Sequence, residues 1–155
     1  MTNNDILRRI RFTYDFNDAQ MIELFKLGGE TVTRPEVSNW LKKDDDEYYK
    51  SLPDSTFSVF LNGFIIKKRG VQEGRDPVVE SVLDNNIVFR KLKIALSLTD
   101  DGILELFDKA ELRISKTELS ALFRNPAHKH YRPCKDQFLR NFLIGLQFQE
   151  QKNRE

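Results

Sequence analysis

The feature that most constrains this chain is an internal duplication. Shifted by 82 residues, the 155-residue sequence lays residues 3–69 over 85–151 without a gap, and 14 of those 67 positions are identical. The identities are Asn3/Asn85, Asn4/Asn86, Arg8/Arg90, Asp18/Asp100, Glu23/Glu105, Leu24/Leu106, Phe25/Phe107, Glu36/Glu118, Ser38/Ser120, Tyr49/Tyr131, Asp54/Asp136, Phe60/Phe142, Leu61/Leu143 and Gly63/Gly145. Further pairs keep their character, such as Ile6/Val88, Ile10/Leu92, Ile22/Leu104, Val32/Ile114 and Val37/Leu119. Self-similarity at a fixed period means one supersecondary unit built twice.

Each half reads as four helices. The first covers 4–15, with Ile6, Leu7, Ile10 and Tyr14 on one stripe and Thr2 with Asp5 as a capping box. The second covers 18–28, capped by Asn17 and closed by Gly28-Gly29. The third covers 34–43 and opens with Thr33-Arg34-Pro35-Glu36, matched by Ser115-Lys116-Thr117-Glu118. In both, the hydroxyl satisfies an orphan N–H and the Glu reaches back to the cap. The fourth covers 52–68, where Phe57, Phe60, Leu61, Phe64 and Ile65 keep helical spacing, as do Phe138, Leu139, Phe142, Leu143 and Leu146. Gly63 and Gly145 interrupt these helices at a cost of up to about 1 kcal/mol each, so their recurrence predicts close helix–helix approach. No segment alternates between hairpin turns, which leaves no case for a sheet.

The expected architecture is therefore all-α, with two tandem four-helix repeats packed into one compact unit. Repeat one takes 1–69, an acidic linker 70–84, repeat two 85–151 and a frayed tail 152–155. A half of this size buries a small core and is marginal alone. The 12 Phe, four Tyr and single Trp thus suggest that the halves pack together, through the apolar fourth helices.

One cysteine excludes a disulfide framework and a cysteine-rich zinc site. No apolar run approaches the roughly 20 residues that span a bilayer. The polar start, Met1-Thr2-Asn3-Asn4-Asp5, lacks the apolar stretch of a secretory signal. These features predict a soluble protein of a reducing compartment, with no membrane partner.

Catalytic motifs are absent: there is no G-x-G-x-x-G after a strand, no P-loop, no H-E-x-x-H and no G-x-S-x-G. The chain is not expected to be an enzyme or to hold a cofactor. His128, His130 and Cys134 are the candidate metal ligands, but H-x-H-x₃-C lacks a fourth ligand and matches Asp46, Tyr48 and Leu52 in the first half. We read a solvated basic loop with an inert Cys134, and no metal. Asp44-Asp45-Asp46-Glu47 lacks the alternate spacing and turn Gly of a calcium loop. The repeated acids Asp18/Asp100, Glu36/Glu118 and Asp54/Asp136 fall in first helical turns, where they suit the helix dipole better than acid–base work.

Helices two and three of each half resemble a helix-turn-helix, and Val37-Ser38-Asn39-Trp40-Leu41-Lys42-Lys43 reads like its second helix. That reading puts Arg34, Lys42, Lys116 and Arg124 on nucleic acid, with Arg8, Arg9, Arg90 and Lys91 beside them. Against it, the turn is longer than the tight motif, Asn39 becomes Ala121, and the net charge is only +1. The charge is uneven: residues 1–69 carry 11 basic against 11 acidic residues, and 85–155 carry 13 against 9.

The runs NNDILRRIRFTYDFND, VSNWLKKDDDEYY, FLNGFIIKKRG and ISKTELSALFRNPAHKHYRPCKDQFLRNFLIGLQ resemble a bacterial domain-of-unknown-function family, the one typified by the uncharacterised enterobacterial protein YehS. The resemblance covers nearly the whole chain. It implies a cytoplasmic bacterial protein with two copies of the domain, and no activity or catalytic residue comes with it. The expected function is a non-catalytic helical binding module for nucleic acid. The alternative is a protein-interaction or scaffold module, which predicts an exposed apolar patch near Tyr48-Tyr49 or on the junction helix, and a homodimer buried through it.

Overall fold

Local capping chemistry starts the helices where the sequence places it. The Thr2 hydroxyl accepts from the Asp5 amide while the Asp5 carboxylate accepts from the Thr2 amide, closing a capping box. The same reciprocal pair forms between Asn17 and Gln20, Thr33 and Glu36, and Ser115 and Glu118. The computed structural model describes residues 1–74 and 77–154; Arg75, Asp76 and Glu155, parts of the expected linker and tail, lie outside them. Among the described residues there are eight helices and no strand: α1 Asn3–Tyr14, α2 Asp18–Leu27, α3 Arg34–Leu41, α4 Asp54–Arg69, α5 Asn85–Ala95, α6 Asp100–Lys109, α7 Lys116–Leu122 and α8 Asp136–Arg154. Residues 152–154, expected to fray, continue α8. No described helix is long and apolar enough to cross a membrane.

The sequence reading put both repeats into one compact unit. The chain resolves into two, Met1–Leu83 and Asp84–Glu155, and each is described by itself. In the first, α4 packs on α2, and α1 lies on α3 and α4. In the second, α8 packs on α6, with α5 on α8 and α7 on α6. Each fourth helix spends its apolar stripe inside its own repeat: Phe57, Phe60, Leu61 and Phe64 are buried in α4, and Leu139, Phe142, Leu143 and Leu146 in α8. Aromatic pairs tie the layers, with Phe25 5.1 Å from Phe60 and 5.3 Å from Trp40, and Phe89 4.6 Å from Phe142.

The glycines repeated in the fourth helices, Gly63 and Gly145, mark close crossings. A Cβ on Gly63 would stand 1.7 Å from the Leu24 carbonyl oxygen, and one on Gly145 2.1 Å from that of Leu106. The close approach predicted from the repeated Gly is therefore present, with the second helix of the same repeat as partner.

The third and fourth helices deviate from their expected ends for local reasons. α3 stops at Leu41 because the Lys42 backbone turns extended and its carbonyl accepts from Arg8 Nη1 at 2.9 Å. α4 starts at Asp54, since Pro53 fills the cap position and the Leu52 amide is already taken by Asn4 Oδ1 at 3.0 Å.

Residues 78–83, in the expected linker, form a strap along α4. Three residues at four-residue spacing on α4, Asp54, Ser58 and Asn62, hold it. Asp54 Oδ2 accepts from the Leu83 amide at 2.9 Å, Ser58 Oγ from the Glu80 amide at 3.1 Å, and Asn62 Nδ2 donates to the Val78 carbonyl at 2.8 Å. The strap is held through its backbone and the Glu80 carboxylate, which accepts from Ser58 Oγ, and Val78, Val79 and Val82 face solvent instead of docking on the core. In the second repeat the corresponding α8 residues are Asp136, Arg140 and Ile144.

Candidate nucleic-acid interface

A paired asparagine at the start of each repeat shapes the surface on which the candidate residues sit. Asn4 is buried; its Nδ2 donates to the carbonyls of Trp40 at 3.0 Å and Lys50 at 2.8 Å, and its Oδ1 accepts from the Leu52 amide. Asn86 does the same to Leu122 at 3.0 Å, Arg132 at 2.9 Å and the Cys134 amide at 2.8 Å. Beside them, Asn3 and Asn85 donate to Leu52 and Cys134 carbonyls and, at 2.7 Å each, to the carboxylates of Asp54 and Asp136. One buried amide thus satisfies three backbone groups that would otherwise be stranded. It clasps the end of the third helix to the loop that follows, 42–53 in one repeat and 123–135 in the other. Sequence reasoning missed this clasp, although three of its residues, Asn3, Asn4 and Asp54, recur unchanged as Asn85, Asn86 and Asp136.

The loop tip repeats the pattern with different chemistry. Asp46 Oδ1 accepts from the Tyr48 amide at 2.8 Å, and His128 Nδ1 accepts from the His130 amide at 3.0 Å. His128 is thereby occupied as a local acceptor. Cys134 lies inside the fold, and burial, reinforced by Asp136 and Asp84, pushes its thiol up to about 12. A thiol in that state is a poor metal ligand. Among the described residues no three His, Cys, Asp or Glu side chains form a group that could hold a metal. The acidic run Asp44–Glu47 is exposed.

The residues expected to contact nucleic acid separate into engaged and open groups. Arg8 is half-buried, paired with Asp5 and hydrogen-bonded to the Lys42 carbonyl, so it braces α1 against α3. Burial raises the Asp5 carboxyl, but the Thr2 amide and hydroxyl and the Arg8 guanidinium outweigh it and hold it below its ordinary value. Arg9 and Arg90 are half-buried and Lys91 is buried. Arg34, at the first position of α3, faces Asp18 at 3.8 Å, and Lys116 faces Asp101 at 3.0 Å, both pairs largely exposed. Lys42 turns back on its own helix: Nζ donates to Ser38 Oγ at 3.0 Å and to Asn39 Oδ1 at 3.3 Å. Lys42 is thus bonded within α3, whereas Arg34 faces Asp18. The link between the second and third helices is six residues in both repeats, 28–33 and 110–115, longer than the three or four of the tight motif.

Arg124, in the register of Lys42, differs. Its Nε is buried with no hydrogen-bond partner. It lines a cleft of about 420 Å³ with Thr117, Glu118 and Ala121 of α7 and with His130 and Arg132 of the following loop. Arg132 donates to the Tyr131 carbonyl at 3.2 Å, and Glu118 is held by the Ser115 amide at 3.0 Å. Burial and Asp84 push the Tyr131 hydroxyl above its ordinary value. The Asn86 clasp fixes both walls, since it bonds Leu122 at the end of α7 and Arg132 in the loop. Arg132 and the cleft itself escaped the sequence reading.

Comparison with known proteins adds the family. The model of a protein family of unknown function, DUF1456, matches residues 3–70 and 85–151. The uncharacterised protein YehS of Escherichia coli (strain K12) is 42% identical over 147 residues, which cover 94% of either chain. No solved structure matches.

Proposed function

Since the chain belongs to the DUF1456 family of proteins of unknown function, we propose from its geometry that it is a non-catalytic binding module that takes nucleic acid on its second repeat. The observation that carries this reading is Arg124, a half-buried side chain that lines a cleft with Arg132 and His130 and whose buried Nε has no hydrogen-bond partner. It stands on the half of the chain with excess positive charge. Phosphates attract such groups without regard to sequence. In the first repeat the matching cation is already bonded.

Fluorescence anisotropy against duplex DNA, single-stranded DNA and RNA at two salt concentrations tests the proposal. Binding should weaken steeply with salt. Arg124→Ala should flatten the salt slope by about one unit, for one lost phosphate contact, while Lys42→Ala leaves it nearly unchanged. Absence of binding at low salt would remove the reading, because the phosphate contribution is largest there.

A protein partner is the second reading, favoured by the segment between α4 and α5. Val71, Val78, Val79 and Val82 are all exposed on residues 71–82. Exposed apolar residues gathered on one segment suit a protein contact. Tyr48 is exposed too, while Tyr49 is half-buried.

A further inference from the structure

We propose that the cleft beside α7 seats a single phosphate group, carried by a nucleoside phosphate or by a nucleic-acid strand. The choice of ligand rests on the nucleic-acid reading above; the site itself rests on its own geometry.

No acceptor in the cleft lining takes the Arg124 Nε proton. A buried guanidinium N–H left unsatisfied is costly, and Arg124 Nε has no protein partner, so nothing in the fold ties this half-buried guanidinium down and its charge is left for an anion that enters the cleft. The other repeat supplies the contrast. Lys42 closes on Ser38 and Asn39; Ser120 retains the hydroxyl, but Ala121 replaces the amide. Arg132 brings a second guanidinium from a different element, the loop clasped by Asn86. Two planar forks suit the tetrahedral oxygens of phosphate better than a point charge does. Thr117 and His130 add side-chain donors to the lining. The one acid there, Glu118, already accepts from the Ser115 amide in its capping box. The volume, about 420 Å³, exceeds what a phosphate alone needs and leaves room for an attached sugar or base over the Ala121 methyl.

The test is an amide-shift titration of the full chain by two-dimensional NMR, using inorganic phosphate, adenosine monophosphate, adenosine, and chloride at matched ionic strength. Phosphate and the monophosphate should move amides of residues 117–132; adenosine and chloride should not. Arg124→Gln should weaken the response about tenfold, through loss of a charged hydrogen bond. Ala121→Asn keeps every charge but returns an acceptor to Arg124, and should weaken it too. Should either variant disturb the spectrum outside the cleft, Arg132→Gln provides the same readout from the opposite wall. No shifts at millimolar phosphate or monophosphate, or shifts indifferent to all these changes, would overturn the proposal. The two readings fail separately. Oligonucleotide binding with its full salt slope but no movement of cleft amides defeats the phosphate seat alone. Phosphate in the cleft without oligonucleotide binding at low salt defeats the nucleic-acid reading and keeps the seat, with a free nucleotide as its source.

Discussion

At the end of the third helix in the first repeat, Lys42 folds back onto Ser38 and Asn39; in the second, Arg124 at the same register leaves Nε unpaired beside a cleft. The residues that build the common frame behave differently. Asn3, Asn4, Asp54 and Gly63 return unchanged as Asn85, Asn86, Asp136 and Gly145, with matching bonds or matching close approach. Of the six cleft residues only Glu118 has an identical counterpart, Glu36, and both serve capping boxes. The frame thus lies where the repeats agree and the cleft where they differ. That division is expected if duplication kept the packing and freed one surface to change.

The sharpest test of the shared frame is the helix crossing. Gly63→Ala and Gly145→Ala should each destabilise their repeat by about 3 kcal/mol, despite better helix propensity, because the new methyl meets backbone. Denaturant unfolding measures the loss, and hydrogen exchange shows which repeat loosens. Gly28 separates the repeats: a Cβ there would lie 1.9 Å from the Val59 carbonyl oxygen, yet the corresponding residue is Ala110. Gly28→Ala should therefore cost stability that the second repeat has avoided by different packing.

Next come the clasps. Asn4→Ala and Asn86→Ala each strand buried backbone groups and should cost about 2 kcal/mol. Faster amide exchange is expected in 42–53 for the first and 123–135 for the second. A cost in only one repeat would break the equivalence.

Cys134 offers a contrast with Leu52, its counterpart. With its thiol raised to about 12, native Cys134 should resist thiol reagents at mildly alkaline pH and react only on unfolding. Its folded pKa lies above the unfolded value. The stability it contributes is thus full below the unfolded thiol pKa, near 8.5, and is lost as pH rises toward 12. Cys134→Leu should change neutral stability by under about 1.5 kcal/mol and remove that alkaline loss. Melting curves across alkaline pH would show it, and equal alkaline loss in both proteins would contradict the assignment.

The smallest effect is at the caps of α3 and α7. Thr33→Ala and Ser115→Ala should each cost about 1 kcal/mol, read as a drop in melting temperature.

Much of this fold was legible because its determinants are local. Capping boxes, helical stripes and chain-breaking glycines act within a few residues, so Thr33–Glu36 and Ser115–Glu118 could be read without knowing what lay across from them. The repeated glycine could be read as a close crossing, though not which helix it met. The clasp was less accessible, since Asn4 bonds residues 36, 46 and 48 positions away and nothing nearby announces them. Of the candidate contact residues, Arg8 and Lys42 became internal braces because each found a neighbour's oxygen, which a list of basic residues does not record.

The sequence by itself determined that the chain is helical, built twice and uneven in charge, because periodicity, capping and composition are properties of the string. Only the tertiary structure decided that Asn86 draws α7 and the 123–135 loop together, that Arg124 Nε has no acceptor where Lys42 has Asn39, and that Arg132 stands in the same cleft. Those facts depend on which backbone groups meet across long loops, and hydrogen-bond satisfaction is settled by that meeting.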